Sequence, residues 1–350
     1  MQSDNRNSFD ALRLAAALMV FHSHMFALKG LPEEPLPRLR LLWSGVGLGT
    51  FFVISGYLVT TSVLRKPDLL QFLGRRAVRI MPGLTVNVLF CVLLGAAVTT
   101  LSMGEYFGAS QTREFLKGNV LLAFKDVQYN LPGVFSGNPT TAVNGSLWTL
   151  PYEIALYFLI GFVVWATRDS ALRATLAFLG FAGCFFLQLL QLSSRGVNYD
   201  IHLWTTLQTI HLGTWGGLFF LGALMALAKD LRRSLTVICA AAAILFWGKT
   251  SSIALILLLG GLVIAVGESK ALRLPQWMGD LSYGVYLYAF PVQQAVVMFL
   301  EDARLRTQYS VALAITFVLS YLSWRLVESP AMRLKGGLPR WLGRRSTAIP

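Results

Sequence analysis

Residues 45–64 read GVGLGTFFVISGYLVTTSVL, a run of twenty residues without a charged side chain. A helix needs about 20 predominantly apolar residues to cross the hydrocarbon core of a bilayer. Runs of this kind recur along the whole chain, so the first of them is interpreted as a membrane span and not as a cleaved leader. The sequence therefore predicts a membrane protein built from helices.

Ten apolar runs predict ten transmembrane helices. They lie at 8–28, 45–64, 81–101, 146–166, 172–191, 209–228, 234–248, 252–267, 280–300 and 310–328. The longest connection, 102–145, contains an amphipathic stretch at 115–124 that is predicted to lie on the membrane surface. No internal repeat and no soluble segment interrupts the pattern. The predicted fold class is an all-α, polytopic membrane bundle, with residues 1–350 as one domain and a short cytoplasmic tail at 329–350.

The composition supports a membrane protein, because 55% of the residues are hydrophobic and only 13% are charged. Soluble domains carry about 25% charged residues. A net charge of +13 would suit nucleic-acid binding in a soluble protein. Here the positive residues cluster between apolar runs, as in the cytoplasmic loops of membrane proteins, so no nucleic-acid partner is predicted. No metal-ligand spacing is present, and no metal site is predicted.

The orientation follows from the distribution of Lys and Arg. These residues concentrate in the connections that follow the even-numbered spans, beginning with Arg65 and Lys66. Short loops rich in Lys and Arg remain in the cytoplasm. With ten spans, both termini are then cytoplasmic, and the protein is predicted to be a multi-pass protein of the inner (plasma) membrane.

The first predicted span contains Asp10, Arg13 and His24. Ionisable residues inside a span are costly and are functional by default. Arg13 and His24 are eleven residues apart, which at about 100° per residue places both within about 20° of one face. Asp10 lies one turn below Arg13, and His22 points to nearly the opposite face. Two structural alternatives stay open: Arg13 could pair with Asp10 as a surface anchor, and His24 could be a packed, hydrogen-bonded histidine.

The second span contains small residues. Its glycines do not form a dinucleotide fingerprint, because no strand precedes them and no βαβ unit follows. Gly45 and Gly49 are predicted to let helices approach closely. With Ser55 and Gly56 they could also leave room for a long, thin ligand.

Three arginines follow the second span in the predicted first cytoplasmic loop. If the segment is helical, Arg75, Arg76 and Arg79 share a face. Guanidinium groups bind phosphates in a bidentate manner, so the cluster suits the phosphates of coenzyme A. Positive-inside anchoring is the alternative interpretation.

The fourth span opens with NGSLWTLPYE at 144–153. Proline is tolerated in the first turn of a helix, so the helix is predicted to begin near Thr149. Glu153 then lies just inside the membrane, at a depth comparable with that of His24. A carboxylate there could orient and charge-balance the imidazole, or it could be an interfacial residue.

Together these segments resemble the membrane acyltransferase-3 family, whose members acylate lipopolysaccharide, exopolysaccharide, Nod factors and related bacterial glycans. Besides Arg13 and His24, the matching motifs are FFVISGY at 51–57, RRAVR at 75–79, SLWTLPYE at 146–153, GDLSYGVYLY at 279–288 and RLVESP at 325–330. Their shared order makes the resemblance specific. Many members carry a histidine where this chain has Ala289, so a mechanism with two histidines is not carried over.

The resemblance implies transfer of an acyl group, most simply acetyl, from acyl-CoA to a hydroxyl of a lipid-linked or exported glycan. His24 is the predicted general base or transient acyl carrier, Glu153 is its orienter, and Arg13 holds the fold or the thioester. The predicted donor-binding residues are Arg75, Arg76, Arg79, Ser282 and Tyr283. The predicted acceptor-binding residues are Trp148 and Asp10. Acetyl-CoA acts as a co-substrate, no cofactor is bound, and the further partner is membrane lipid.

A proton-coupled transporter of a polar solute or glycan is the alternative function. Buried His, Arg and Glu side chains suit proton relays as well as catalysis. Many transporters contain inverted repeats, and none is evident here. The basic segment, by contrast, has an obvious nucleotide-like ligand.

Overall fold

The computed structural model describes residues 8–33, 42–122, 126–193, 211–245, 251–275 and 278–333, which contain helices and no strand. In chain order the helices are α1 (Phe9–Leu28), α2 (Trp43–Arg65), α3 (Leu69–Val98), α4 (Met103–Gly108), α5 (Ser110–Val120), α6 (Leu150–Ala166), α7 (Ser170–Ser193), α8 (Gly217–Leu227), α9 (Arg232–Leu245), α10 (Ser251–Glu268), α11 (Ser282–Phe299), α12 (Leu305–Ser323) and α13 (Ser329–Arg333). Short 3₁₀ helices cover Gly145–Thr149 and Lys229–Leu231, and π-helical turns cover Leu212–Gly216 and Trp324–Glu328.

Six helical segments of the described chain are long and apolar enough to cross a membrane: Phe9–Leu28, Trp43–Arg65, Leu69–Val98, Gly145–Ala166, Ser170–Leu190 and Leu305–Arg333. Leu212–Leu227 and Leu258–Glu268 are shorter apolar helices. The predicted all-α, polytopic fold class is therefore confirmed.

The number of ten spans stays a prediction. Helix α9 has 14 residues and is about 21 Å long, less than the hydrocarbon thickness of about 30 Å. The end of the predicted span 234–248, the start of the span 209–228 and the tail beyond 333 lie outside the described residues.

The third helix begins earlier than predicted. Helix α3 has 30 residues, and the Asp68 side chain caps it by accepting a 2.9 Å hydrogen bond from the backbone N–H of Gln71. The predicted span 81–101 was too short at its start because Pro82 lies inside the helix. One proline is tolerated there since neighbouring helices stabilise the interrupted backbone. The basic segment 75–79 thus belongs to a membrane helix and not to a loop.

Helix α2 occupies the centre of the bundle and packs against α1, α6, α8 and α10. A Cβ atom on Gly56 would collide with the carbonyl oxygen of Phe219 in α8, and one on Gly222 would collide with that of Val53. Gly47 meets α1 in the same way, whereas Gly45 faces open space, so the packing role predicted for Gly45 is wrong. The space for a long, thin ligand that was predicted beside Gly56 is also absent, because α8 occupies it.

The segment between α3 and α6 folds back onto α3. Tyr106 in α4 donates a 2.8 Å hydrogen bond to the carbonyl oxygen of Val92, and Phe115 in α5 is fully buried. The predicted surface stretch 115–124 is therefore helical only to Val120, and it packs one side on the protein. Asn144 donates to Asn87 Oδ1 at 3.0 Å. These contacts hold the start of α6 against the bundle.

Candidate active site

A cavity of about 280 Å³ lies between α1, α2, α3, α6 and α11. Its polar lining residues are Arg13, Ser55, Arg76, Arg79, Thr149, Glu153, Tyr157, Ser282, Tyr283 and Tyr286. Its apolar lining residues are Leu48, Phe51, Phe52, Leu58, Ile80, Leu150 and Met332. Apolar walls with a few convergent polar groups are typical of small-molecule sites.

Arg79 is the centre of an ion-pair network. Its Nη1 lies 2.8 Å from Glu328 Oε2, and its Nη2 lies 2.5 Å from Asp280 Oδ2. Asp280 also pairs with Arg13, at 3.5 Å between Oδ2 and Nη1. The Tyr283 ring lies 5.3 Å from the Arg79 guanidinium carbon, within cation–π distance. Two carboxylates thus neutralise Arg79 and tie α3 to the residues before α11 and to the π-helical turn after α12.

Arg76 differs from Arg79 because it has no carboxylate partner within the described part of the chain. Its Nε atom is buried and lacks a hydrogen-bond partner among the described residues. The guanidinium carbon lies 5.9 Å from the Phe72 ring, within the range of a weak cation–π contact. Arg76 therefore lines the cavity without an ion-pair partner among the described residues, and its guanidinium group can bind an anionic ligand there.

Glu153 lines the same cavity as the arginines. Its Oε2 accepts a 2.8 Å hydrogen bond from the Tyr157 hydroxyl, one helical turn further along α6. The Tyr157 oxygen also lies 3.3 Å from Ser55 Oγ in α2. This chain of three polar groups connects α6 to α2 and fixes the carboxylate beside the cavity.

Tyr286 fixes the turn that precedes α6. Its hydroxyl lies 2.6 Å from Thr149 Oγ1 and donates a 2.7 Å hydrogen bond to the carbonyl oxygen of Ser146. Asn144 starts the same turn by accepting from the backbone N–H of Ser146. The position of Thr149 in the cavity wall is thus set by α11.

The family model described as an acyltransferase domain matches residues 6–325 of this chain. The chain belongs to the acyltransferase-3 family. The resemblance predicted from the ordered motifs is confirmed, and the protein is a membrane acyltransferase.

Three relatives illustrate the range of this acyltransferase family. The O-acetyl transferase of Shigella phage Sf6 is 32% identical over 92% of this chain and 95% of its own length. Nodulation protein 10 of Rhizobium leguminosarum bv. viciae is 28% identical over 96% of both chains. The peptidoglycan O-acetyltransferase OatA of Listeria monocytogenes is 24% identical over 92% of this chain and 55% of its own length. No solved structure gives a significant match.

The acyltransferase-3 motifs converge on the cavity only in part. The structure brings together Arg13, Arg76, Arg79, Glu153, Ser282 and Tyr283. Two of the hydroxyls are already engaged, because Ser282 donates to Asp280 and Tyr283 donates to the carbonyl oxygen of Ile80. Four predicted site residues do not line the cavity: Arg75, Asp10, Trp148 and His24.

His24 lies in a separate environment. Its ring contacts Phe290 edge to face, with 5.0 Å between ring centroids, and its Nδ1 is buried without a partner among the described residues. The predicted pairing of Glu153 with His24 is not found, since Glu153 bonds to Tyr157 instead. Glu153 and His24 were predicted to lie at a comparable depth, but their helices have different neighbours. Helix α6 packs on α2 and α3, whereas α1 packs on α2 and α11.

Some candidate residues were missed at the level of sequence. Tyr157 lies four residues after Glu153, a spacing at which helical side chains meet, so this pair was detectable. His211 stands at the start of a predicted span, and its ring centroid lies 4.5 Å from that of Trp148. That contact joins residues 63 positions apart, and no local pattern predicts it.

Proposed function

We propose that this acyltransferase transfers an acetyl group from acetyl-CoA to a hydroxyl of a cell-surface or exported glycan, such as an exopolysaccharide or lipopolysaccharide. Acetyl as the group and a glycan as the acceptor are supported by the names of the phage O-acetyl transferase and the peptidoglycan O-acetyltransferase. Membership of an acyltransferase family favours this enzyme over a transporter.

The observation that carries the donor assignment is Arg76, which lines the cavity without an ion-pair partner among the described residues. Coenzyme A has phosphates at one end and a thioester at the other, and the cavity offers a cation beside a partly apolar space. Arg76 binds a donor phosphate, and Arg13, held by Asp280, lies in the same wall toward the thioester. Arg79 positions this wall through its two carboxylates.

The transfer step needs a group that accepts the proton of the acceptor hydroxyl. The hydroxyl oxygen attacks the thioester carbonyl carbon, the C–S bond breaks, and the thiolate leaves and is protonated to free CoA. His24 stays our proposed base or transient acyl carrier, because its buried Nδ1 has no described partner and can take a proton. Its ring contacts Phe290, which packs against Gly145 in the turn before the lining residue Thr149, so the acceptor hydroxyl would reach His24 at that side of the cavity. Glu153 acts in the cavity instead, where its carboxylate faces the arginines and orients polar groups of the substrates.

The proposed location of the protein is the inner membrane. The start of α3, which carries the arginines, lies at the cytoplasmic side of this membrane, and both termini lie in the cytoplasm. Arg65, the last residue of α2, and Lys66, the first residue of the connection to α3, support this orientation. Acetyl-CoA is then available at the arginine end, and a lipid-linked or exported acceptor approaches the opposite end. Residues 1–350 act as one domain.

The test is release of free CoA from acetyl-CoA by the purified full-length protein. The acceptor is a set of oligosaccharide fragments of the producing strain's own surface polysaccharide, freed of acetyl groups by mild alkali. We expect acceptor-dependent thiol release, lowered about 10²–10⁴-fold in His24→Ala and little changed in the matched control His22→Ala. Intact acetyl-CoA with every fragment would refute the acetyl-CoA donor and favour transport.

A further inference from the structure

Four ring side chains form an aromatic cluster beside the cavity: Trp148, Tyr152, His211 and Trp215. The centroid of the Trp148 ring lies 4.5 Å from that of His211, 5.8 Å from that of Tyr152 and 6.4 Å from that of Trp215. Tyr152 and His211 are 6.0 Å apart and nearly perpendicular. The cluster therefore joins the start of α6 to the residues that lead into α8.

The aromatic cluster adjoins the cavity at two points. Trp148 directly precedes Thr149, which lines the cavity. Trp215 stacks on Phe52, another lining residue, with 5.8 Å between centroids and 22° between ring planes. A ligand held by the cluster would therefore lie next to a ligand held in the cavity.

The aromatic cluster adjoins the cavity near the start of α6, and the arginines line it near the start of α3. A three-residue connection joins α2 to α3, so Arg76 and Arg79 lie near the end where α2 finishes. Helix α3 then crosses to the other end, where the chain enters α6 through Trp148. The cluster thus adjoins the cavity at the start of α6, whereas Arg76 and Arg79 line the same cavity from α3.

Two independent features of the segment 211–216 point to a ligand. The indole N–H of Trp215 is buried and has no hydrogen-bond partner among the described residues. An indole nitrogen can only donate, and a buried donor without a partner is uncommon in native proteins. The same segment forms a π-helical turn at Leu212–Gly216, a rare conformation that is frequent at functional sites.

The chemistry of the aromatic cluster suits a sugar. Trp148, His211 and Trp215 are only partly buried, and Tyr152 is 2% exposed. Ring faces bind the apolar C–H face of a sugar, while the Trp215 N–H can donate to a hydroxyl. A phosphate would require a cation, and an acyl chain has no use for a hydrogen-bond donor. We propose that Trp148, His211 and Trp215, supported by the buried Tyr152, form the subsite that binds a sugar ring of the acceptor and presents its hydroxyl to the cavity.

This inference rests on the proposed function, but its test measures binding and does not require turnover. The full-length protein in detergent is titrated calorimetrically with the de-O-acetylated fragments described above, and separately with acetyl-CoA. Trp215→Phe keeps the ring that stacks on Phe52 and removes the N–H donor. Trp43→Phe is the matched control, because Trp43 contacts His22 at the start of α2 and does not line the cavity.

We expect Trp215→Phe to weaken fragment binding about three- to tenfold, the effect of one lost hydrogen bond, and to leave acetyl-CoA affinity unchanged. Trp148→Leu should weaken fragment binding by at least as much, and Trp43→Phe should bind like the wild type. Gel filtration and thermal unfolding establish that each variant is folded. Three outcomes would overturn the subsite. The wild type does not bind the fragments, both cluster variants bind them with unchanged affinity, or the variants lose fragment affinity together with acetyl-CoA affinity. Normal fragment binding without CoA release would instead refute the proposed function alone.

Discussion

Three arginines of one short motif have three different surroundings. Arg79 is neutralised by Asp280 and Glu328, Arg76 faces the cavity without a carboxylate among the described residues, and Arg75 does not line the cavity. The residue type is the same at the three positions, so only the contacts made in the fold distinguish an arginine that ties helices together from one that is left without an ion-pair partner in the cavity.

Replacing Arg76 by Gln should lower the affinity for acetyl-CoA by about 10- to 100-fold. A hydrogen bond to a charged group contributes about 1.5–3 kcal/mol, and Gln cannot supply the charge. Arg75→Gln is the matched control and should change affinity little. Calorimetric titration of both variants is the measurement. Equal affinity in Arg76→Gln and wild type would show that the donor phosphates bind elsewhere.

Replacing Arg79 by Gln should destabilise the fold instead of selectively weakening donor binding. The change leaves two carboxylates without their main cation, and removal of one partner from a buried ion pair costs about 3–5 kcal/mol. The double variant Arg79→Gln, Glu328→Gln should recover part of this loss, since only Asp280 then remains charged and Arg13 still pairs with it. Thermal unfolding in detergent measures the stability of the single and the double variants. If the stability losses of Arg79→Gln and Glu328→Gln simply add in the double variant, the two side chains are not coupled.

At the scale of elements, the contact between α2 and α8 is made by backbone atoms. Gly56 and Gly222 each face a carbonyl oxygen of the other helix. Such close approach places Phe52 and Ser55 of α2 in the cavity wall, with Phe219 of α8 packed directly behind Gly56. The shape of the cavity therefore depends on a helix that contributes no lining residue to it.

Gly56→Ala should lower the stability of the fold by about 1–3 kcal/mol, because the added methyl group forces α2 and α8 apart. Gly45→Ala makes the same chemical change where nothing lies within 4 Å, and it should leave stability unchanged or slightly raised. Melting temperatures in detergent compare the two variants. A melting temperature of Gly56→Ala at or above that of Gly45→Ala would contradict the close contact.

At the scale of the whole molecule, the bundle has two chemically different ends. One end carries Arg65, the last residue of α2, and Lys66 in the short connection that precedes the arginines of α3. The other end carries α4, α5 and the turn that leads into α6. A donor bound at the first end and an acceptor bound at the second can meet in the cavity between them.

Impermeant thiol reagents can test this orientation in intact cells. Cys91, Cys184 and Cys239 are buried in helices, so their replacement by Ala gives a cysteine-free background. A cysteine at Gly137, which is exposed in the segment before α6, should be labelled from outside. Cysteines at Lys66 and Thr347 should be protected until the membrane is permeabilised. Labelling of Lys66→Cys from outside would reverse the orientation, and labelling of Thr347→Cys alone would exclude an even number of spans.

Much of the fold and part of the site could be predicted from the sequence, because apolar length and helical periodicity are local properties. They determine that the chain is an α-helical membrane protein, which residues of one helix share a face, and which motifs mark the acyltransferase family. Arg13, Arg76 and Glu153 were predicted as site residues for these reasons, and all three line the cavity.

Periodicity within one helix says nothing about how that helix is rotated or placed against another. The rotation and position of a helix depend on contacts between residues far apart in the chain, such as Gly56 with Phe219 and Arg79 with Glu328. Only the tertiary structure therefore decided that Glu153 bonds to Tyr157 and not to His24, and that Arg76 lacks a carboxylate partner among the described residues. It also brought His211 and Trp215 beside Trp148, because helix packing and not sequence distance determines which rings meet.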